Sequence, residues 1–169
     1  MDTVFILGGA RSGKSARAQA LADAGAARRV FIATAEAMDA EMAERIARHR
    51  AARGAGWTTV EAPLDLVGAL SDHMAGDAAC LVDCLTLWLS NLMHHDRHVE
   101  DETASLCDLL ARARGRVILV SNEVGMGLVP ETPLGRRFRD AQGRLNQRVA
   151  AACRRVEFVA AGLPLTLKG

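Results

Sequence analysis

The stretch "VFILGGARSGKSARAQALADAG", Val4 to Gly25, decides the reading of this chain. Four apolar residues run into glycines, an arginine, a serine and a lysine, and an alanine-rich helical pattern follows. "GGARSGKS" fits G-x-x-x-x-G-K-[ST] through Gly8, Gly13, Lys14 and Ser15, in the strand–loop–helix setting that a phosphate-binding loop requires. Glycines carry no Cβ, so successive backbone N–H groups can turn inward around an anion. The helix starting near Gly13 points the positive end of its dipole at the same place. Lys14 is expected to reach the β- and γ-phosphates of a nucleotide, and the Ser15 hydroxyl to ligate Mg²⁺.

Working outward, short apolar runs alternate with helical patterns. The runs are "VFIL" (4–7), "VFIA" (30–33), "WTTVEA" (57–62), "CLVDC" (80–84), "RVILVSNE" (116–123) and "VEFVAAG" (156–162). They are mostly continuous and rich in valine and isoleucine, as strands covered on both faces are. Helices are expected at about 14–24, 39–52, 86–95, 101–114 and 132–154. Gly25 and Gly115 stand where C-caps would fall, and Thr132-Pro133 reads as an N-cap followed by proline at the first helical position. The alternation predicts a three-layer α/β domain of the P-loop NTPase type, with a mostly parallel sheet flanked by helices. Without a repeat, low-complexity tract or linker, residues 1–169 are read as a single domain.

Bulk properties narrow the function. The chain has 169 residues, 21 lysines plus arginines against 20 acidic residues, and a net charge of +1, a balance that gives no sign of a nucleic-acid or membrane partner. No apolar stretch approaches the ~20 residues of a bilayer span. "MDTVFILGG" lacks the basic start and small-residue cleavage site of a signal peptide, so a cytoplasmic location is expected. Cys80, Cys84, Cys107 and Cys153 show no C-x-x-C spacing and are read as reduced, mostly buried thiols. "HHDRH" (94–98) reads as a solvated polar loop rather than a metal site, and Trp57 and Trp88 as packing residues.

A phosphate loop needs a further carboxylate to help hold its metal. Asp83 ends the apolar run "CLVDC", where such a residue usually stands. The competing reading is an N-cap for the helix that "LTLWLSNL" announces. In "DAEMAERIARHRAARGAGW", Asp39 is a plausible N-cap and Glu41 with Arg45 and Glu44 with Arg48 are i,i+4 pairs. Met42, Ile46, His49 and Arg53 share one helical face, and Arg48, Arg50 and Arg53 surround His49 with positive charge. Spacing leaves two readings open: a solvated basic helix end, or a histidine beside phosphates whose neutral imidazole can attack phosphorus. Arg50 and Arg53 would favour that neutral form. "SNEVGMGLVPETPLGRRFRD" starts at the carboxyl end of a strand, where open α/β sheets bind ligands, and continues to Arg136, Arg137 and Arg139 on a helix.

With these residues in view, the chain resembles the bifunctional adenosylcobinamide kinase / adenosylcobinamide-phosphate guanylyltransferases of cobalamin biosynthesis. The resemblance is carried by "FILGGARSGKSARAQALA", "VFIATAEAMDAEMAERIARHRAARGAGWTTVEAP", "LVDCLTLWLSNL" and "VSNEVGMGLVPETPLGRRFRDAQGRLNQRVAAA", in family order, and is weakest over 94–108. It implies two reactions: transfer of the γ-phosphate of ATP or GTP to the aminopropanol hydroxyl of adenosylcobinamide, then transfer of GMP from GTP to that phosphate. It also implies that His49 is the guanylylated residue. The implied nucleotide positions are Gly8, Gly9, Ala10, Arg11, Ser12, Gly13, Lys14, Ser15, Ala33, Thr34, Ala35, Arg50, Ala51, Ala52, Arg53, Glu61 and Asp83, and a homo-oligomer is implied as well. Two other readings stand beside it. One is a P-loop kinase of another small molecule without covalent GMP transfer, and the other a nucleotide-dependent switch with no small acceptor.

Overall fold

The computed structural model describes residues 2–24, 26–36, 44 and 56–169. Within them lie β1 (Asp2–Gly8), α1 (Lys14–Asp23), β2 (Arg28–Ala33), β3 (Trp57–Glu61), α2 (Leu66–His73), β4 (Ala78–Asp83), α3 (Leu85–His94), α4 (Val99–Arg112), β5 (Arg116–Asn122), α5 (Pro133–Ala152), β6 (Arg155–Ala160) and β7 (Leu163–Lys168). The strands form one sheet in the order β3-β2-β4-β5-β1-β6-β7. Every neighbouring pair is parallel except β6 with β7. Apart from residue 44, the helix expected at 39–52, with His49 and Arg50 to Arg53, falls outside the described residues, as does the cap expected at Gly25.

The continuous apolar runs are explained by burial on both faces. Val4 and Ile6 of β1 join a cluster with Ala18 and Ala22 of α1, while Phe5 and Leu7 join Leu70, Trp88, Leu110 and Leu145 from α2 to α5. β4 divides in the same way, with Ala79 and Leu81 toward α1 and Cys80 and Val82 toward the other helices. The result is a three-layer arrangement with the mostly parallel sheet in the middle. Trp88 is fully buried and donates from Nε1 to the Leu64 carbonyl (2.9 Å), and Trp57 stacks edge-on to Phe31. All four cysteines are free thiols, and burial pushes Cys80 up to about 11 and Cys153 up to about 12.

Three features differ from the sequence reading. The run expected to end at Gly162 instead stops at Ala160, and β7 returns along it. Ala161 (φ 51°) and Gly162 (φ 79°) make the two-residue turn, both in the left-handed region that suits the twist of a hairpin. α2 was not anticipated; Asp65 caps it by accepting from the Gly68 N–H at 2.9 Å. Gly115 does not cap α4, which ends at Arg112 with Ala113 as its C-cap. It is required for another reason: a Cβ there would lie 2.1 Å from the Met74 carbonyl oxygen. By contrast, Thr132 caps α5 as expected, accepting from Gly135 N–H at 3.0 Å with Pro133 at the first helical position.

α1 is tied to β6 by a buried carboxylate. Glu157 has no exposed surface and accepts from Arg17 Nε and an Arg17 terminal nitrogen, both at 2.9 Å, while Arg155 approaches within 2.5 Å. The hydrogen bond from Arg17 holds the Glu157 carboxyl below its usual range against the opposing effect of burial. Because the folded pKa is lowered, this contribution is fully present above the unfolded value of 4.5 and is lost as pH falls through the folded value.

Two expected outcomes follow from this packing. Gly115→Ala should cost about 3 kcal/mol and lower Tm by about 6–12 °C in thermal unfolding, because backbone must move to relieve the contact. Glu157→Gln should cost about 2 kcal/mol above pH 5, less than a fully buried pair because Arg17 retains some access to water. Denaturant titrations at stepped pH should show the gap to the wild type closing as pH falls below about 4.5.

Candidate active site

The phosphate loop joins the strand β1 to α1, and Gly8 and Gly13 meet different constraints in it. A Cβ on Gly8 would lie 2.5 Å from both Ser12 Oγ and the Val159 carbonyl oxygen. Gly13 adopts φ 98° and stands as the N-cap of α1, where a Cβ would come within 3.0 Å of Gly162 Cα. A Cβ on Gly9 would meet nothing within 4 Å, so that side of the loop is open. Arg11 also takes a left-handed conformation (φ 54°) and is exposed, and Ala10 beside it is exposed. Ser12 N–H donates to the Gly9 carbonyl at 3.3 Å, closing the turn.

Lys14 is buried, and its ammonium reaches across the loop to donate to the Gly9 carbonyl at 3.0 Å. The first turn of α1 contains no acidic residue, so nothing on the helix offsets its positive end. Ser15 is exposed on that turn. The Ser12 hydroxyl is buried without a hydrogen-bond partner. An open cradle with a cation folded over it is suited to binding an anion.

Neighbouring segments hold the loop in place. Just past β5, Glu123 N–H donates to the Gly8 carbonyl at 3.1 Å; from the β6–β7 turn, Gly162 N–H donates to the Ser12 carbonyl at 2.8 Å. The end of β5 is itself fixed by a polar network that the sequence reading did not single out. Ser121 Oγ donates to Asn146 Oδ1 (2.9 Å), Gln142 Nε2 donates to both, Asn146 Nδ2 donates to the Asn122 carbonyl, and Thr86 Oγ1 accepts from Asn122 N–H. The signal was present as "AQGRLNQ", where polar side chains at 142 and 146 share a helical face with Leu145 and Val149.

The remaining described candidates collect at the same carboxyl edge. Glu61, Ala33 and Asp83 are direct register partners across β3, β2 and β4. Their backbones are therefore about 5 Å apart in sequence across the sheet. Asp83 is half-buried and is not the cap of α3, whose N-cap is Cys84. Glu61 is exposed. Thr34 is buried, and its hydroxyl both donates to the Cys84 carbonyl (2.8 Å) and accepts from Cys84 N–H (2.9 Å), locking the end of β2 to that of β4. Asn91 reinforces this joint by donating to the Thr34 carbonyl at 2.7 Å, and Ala35 follows, half-buried. β5 separates the Asp83 strand from β1, and α1 packs across β5 and β4, bringing the loop and Asp83 to one side of the sheet.

Among the described residues, no group of three or more His, Cys, Asp or Glu side chains is arranged to hold a metal. The "HHDRH" histidines are exposed, and His95 pairs with Glu36 at 3.2 Å. A hydroxyl and a carboxylate, Ser15 and Asp83, are hard oxygen donors of the kind Mg²⁺ takes together with phosphate oxygens and water.

Comparison with known proteins identifies the family. Residues 4–167 match the family model described as cobinamide kinase / cobinamide phosphate guanyltransferase. A protein of Pseudomonas aeruginosa named bifunctional adenosylcobalamin biosynthesis protein CobP is 49% identical over 167 residues, covering 98% of this chain and 96% of that protein. A Salmonella typhimurium protein named bifunctional adenosylcobalamin biosynthesis protein CobU is 39% identical over 180 residues, covering 98% and 99%. Among solved structures, a Pyrococcus horikoshii protein from the structural study of PH0250 superimposes with a TM-score of 0.52 at 11% identity, over 99% of this chain and 86% of that one, a likeness of fold alone. On the strength of the near full-length match, this chain belongs to the cobinamide kinase / cobinamide phosphate guanyltransferase family.

Proposed function

We propose that this chain phosphorylates adenosylcobinamide with ATP or GTP and then guanylylates the product with GTP, through a covalent GMP on His49. The observation that carries the reading is the open side of Gly9 beneath the buried Lys14 ammonium, a cradle shaped for the phosphates of a nucleotide. Residues 1–169 act as one domain in this account, working as a homo-oligomer in the cytoplasm. No helix among the described residues is long and apolar enough to cross a membrane.

In the first reaction the acceptor hydroxyl oxygen attacks the γ-phosphorus, the bond to the β–γ bridging oxygen breaks, the hydroxyl proton is released, and a nucleoside diphosphate leaves. Positioning and charge neutralisation matter most in such a transfer. Lys14 would exchange the Gly9 carbonyl for phosphate oxygens, and the N–H groups of Gly9 to Ser15 would supply further donors. Mg²⁺, when bound, would neutralise charge between the β- and γ-phosphates, held by Ser15 and Asp83. Exposed Glu61, beside Ala33 at the carboxyl edge of the sheet, would contact the nucleotide in this reading.

In the second reaction the phosphate of the first product must meet the α-phosphate of GTP, and both are anionic. A neutral imidazole at His49 divides the transfer in two. Its ring nitrogen attacks the α-phosphorus and pyrophosphate leaves. The cobinamide phosphate oxygen then attacks the same phosphorus, and the imidazole leaves. Arg50 and Arg53 would neutralise phosphate charge near His49, and Ala51 and Ala52 would belong to the same nucleotide-binding segment.

Product analysis tests the pair of reactions. Lys14→Ala should lower both rates by about 10²–10³-fold, since it removes the cation from the cradle. His49→Ala should retain phosphorylation of adenosylcobinamide and lose guanylylation. GTP labelled on the α-phosphate should leave an acid-labile, base-stable label on the denatured wild-type protein and none on His49→Ala. Label of equal intensity on that variant would put the covalent GMP on a residue other than His49, and no label on folded, GTP-binding wild type would leave a kinase alone.

A further inference from the structure

Both segments that hydrogen-bond to the phosphate loop carry exposed apolar side chains. The β5–α5 segment, which begins with the Glu123 N–H on Gly8, presents Met126 at 80% exposure and Leu128 at 97%, together with Val124, Val129 and Leu134. On the other flank, Leu163 follows the Gly162 N–H on Ser12 and is 73% exposed. Apolar side chains gathered at the mouth of a polar site mark a ligand or partner surface.

The base of the longer segment is built rather than slack. Arg136 donates to the carbonyls of Pro130 (3.0 Å) and Glu131 (2.8 Å), Thr132 caps α5, and Gly125 N–H donates to the Glu123 carboxylate at 2.5 Å. Arg136 is thereby engaged in holding the loop. Residues 124–130, "VGMGLVP", contain no ionisable side chain. A surface without charge beside a site built for phosphates separates two kinds of ligand chemistry within a short distance.

We propose that Val124, Met126, Leu128, Val129, Leu134 and Leu163 form the platform on which the ring of the acceptor rests, so that this apolar rim selects a large macrocyclic alcohol over small ones. The inference rests on the proposed function, in that the acceptor is taken to be cobinamide. A corrin ring offers broad apolar faces edged with methyl groups and neutral amides, which match an uncharged apolar rim. Its reacting hydroxyl hangs on a short aminopropanol arm, so the ring must settle within arm's length of the terminal phosphate. Both segments adjoin the phosphate loop through their hydrogen bonds to Gly8 and Ser12. A second copy of this chain is the rival occupant.

The test compares wild type with Met126→Asn/Leu128→Asn and, separately, Leu163→Asn, which alters the opposite flank. Circular dichroism and GMP labelling from GTP establish that each variant is folded. Cobinamide binding is followed by the ring's visible absorbance, steady-state kinetics are measured against acceptor and nucleotide, and sedimentation gives the oligomer. Loss of one buried leucine or methionine contact weakens binding by about tenfold or more. The expected result is a rise of that size in the acceptor KM and Kd, with the nucleotide KM little changed. An unchanged acceptor Kd in both variants overturns the proposal, as does an unchanged Kd accompanied by a smaller sedimenting species, which would assign the rim to contact between subunits. Should wild type bind cobinamide without phosphorylating it, while the variants bind about tenfold more weakly, the activity reading fails and the platform stands.

Discussion

The phosphate loop depends on its neighbours for its shape. Its carbonyls at Gly8 and Ser12 accept from Glu123 N–H on one flank and Gly162 N–H on the other, and its glycines are pressed against Val159 and Gly162. Much of the surrounding structure fixes those two donors. The Ser121, Asn122, Gln142, Asn146 and Thr86 network fixes the end of β5, and the Ala161–Gly162 turn fixes the start of β7. Pinning a loop in this way lowers the ordering cost at the moment of binding.

The same edge gathers two kinds of chemistry. Register brings Glu61, Ala33 and Asp83 into one row across three strands, while the Thr34 bonds to Cys84 keep that row aligned. α1 covers the loop side of the sheet and is tied to β6 through Arg17 and Glu157. Its first turn therefore stays aimed at the cradle. Uncharged loop residues stand next to this polar edge, so a single mouth can meet both a nucleotide and an apolar ring.

What could be read in the sequence was what local pattern encodes. The phosphate loop was legible because Gly8 to Ser15 is contiguous, and β1, β4 and β5 because runs buried on both faces lose the alternation of a surface strand. Thr132-Pro133 announced α5 by its own chemistry. β7 escaped notice because an Ala-Gly turn lacks the Asn-Gly signature, and its leucines alternate without being buried. α2 is eight residues long, too short for a helical period to stand out. Glu157 was not singled out within "VEFVA", since its partner Arg17 is 140 positions away. Gly115 was assigned the role its position beside a helix end suggested, whereas Met74, distant in sequence, is what demands it. The roles of His49 and Glu61 came from resemblance, because spacing alone left a basic helix end and an exposed strand end.

Amide hydrogen exchange over the phosphate loop, with and without Mg²⁺ and GTP, bears most directly on the account. The account predicts that GTP slows exchange of the N–H groups of Gly9 to Ser15, with smaller slowing at Glu123 and Gly162, whose bonds hold the loop. GTP bound at full occupancy with those loop amides exchanging as before would contradict it, because the nucleotide would then be held by some other part of the chain.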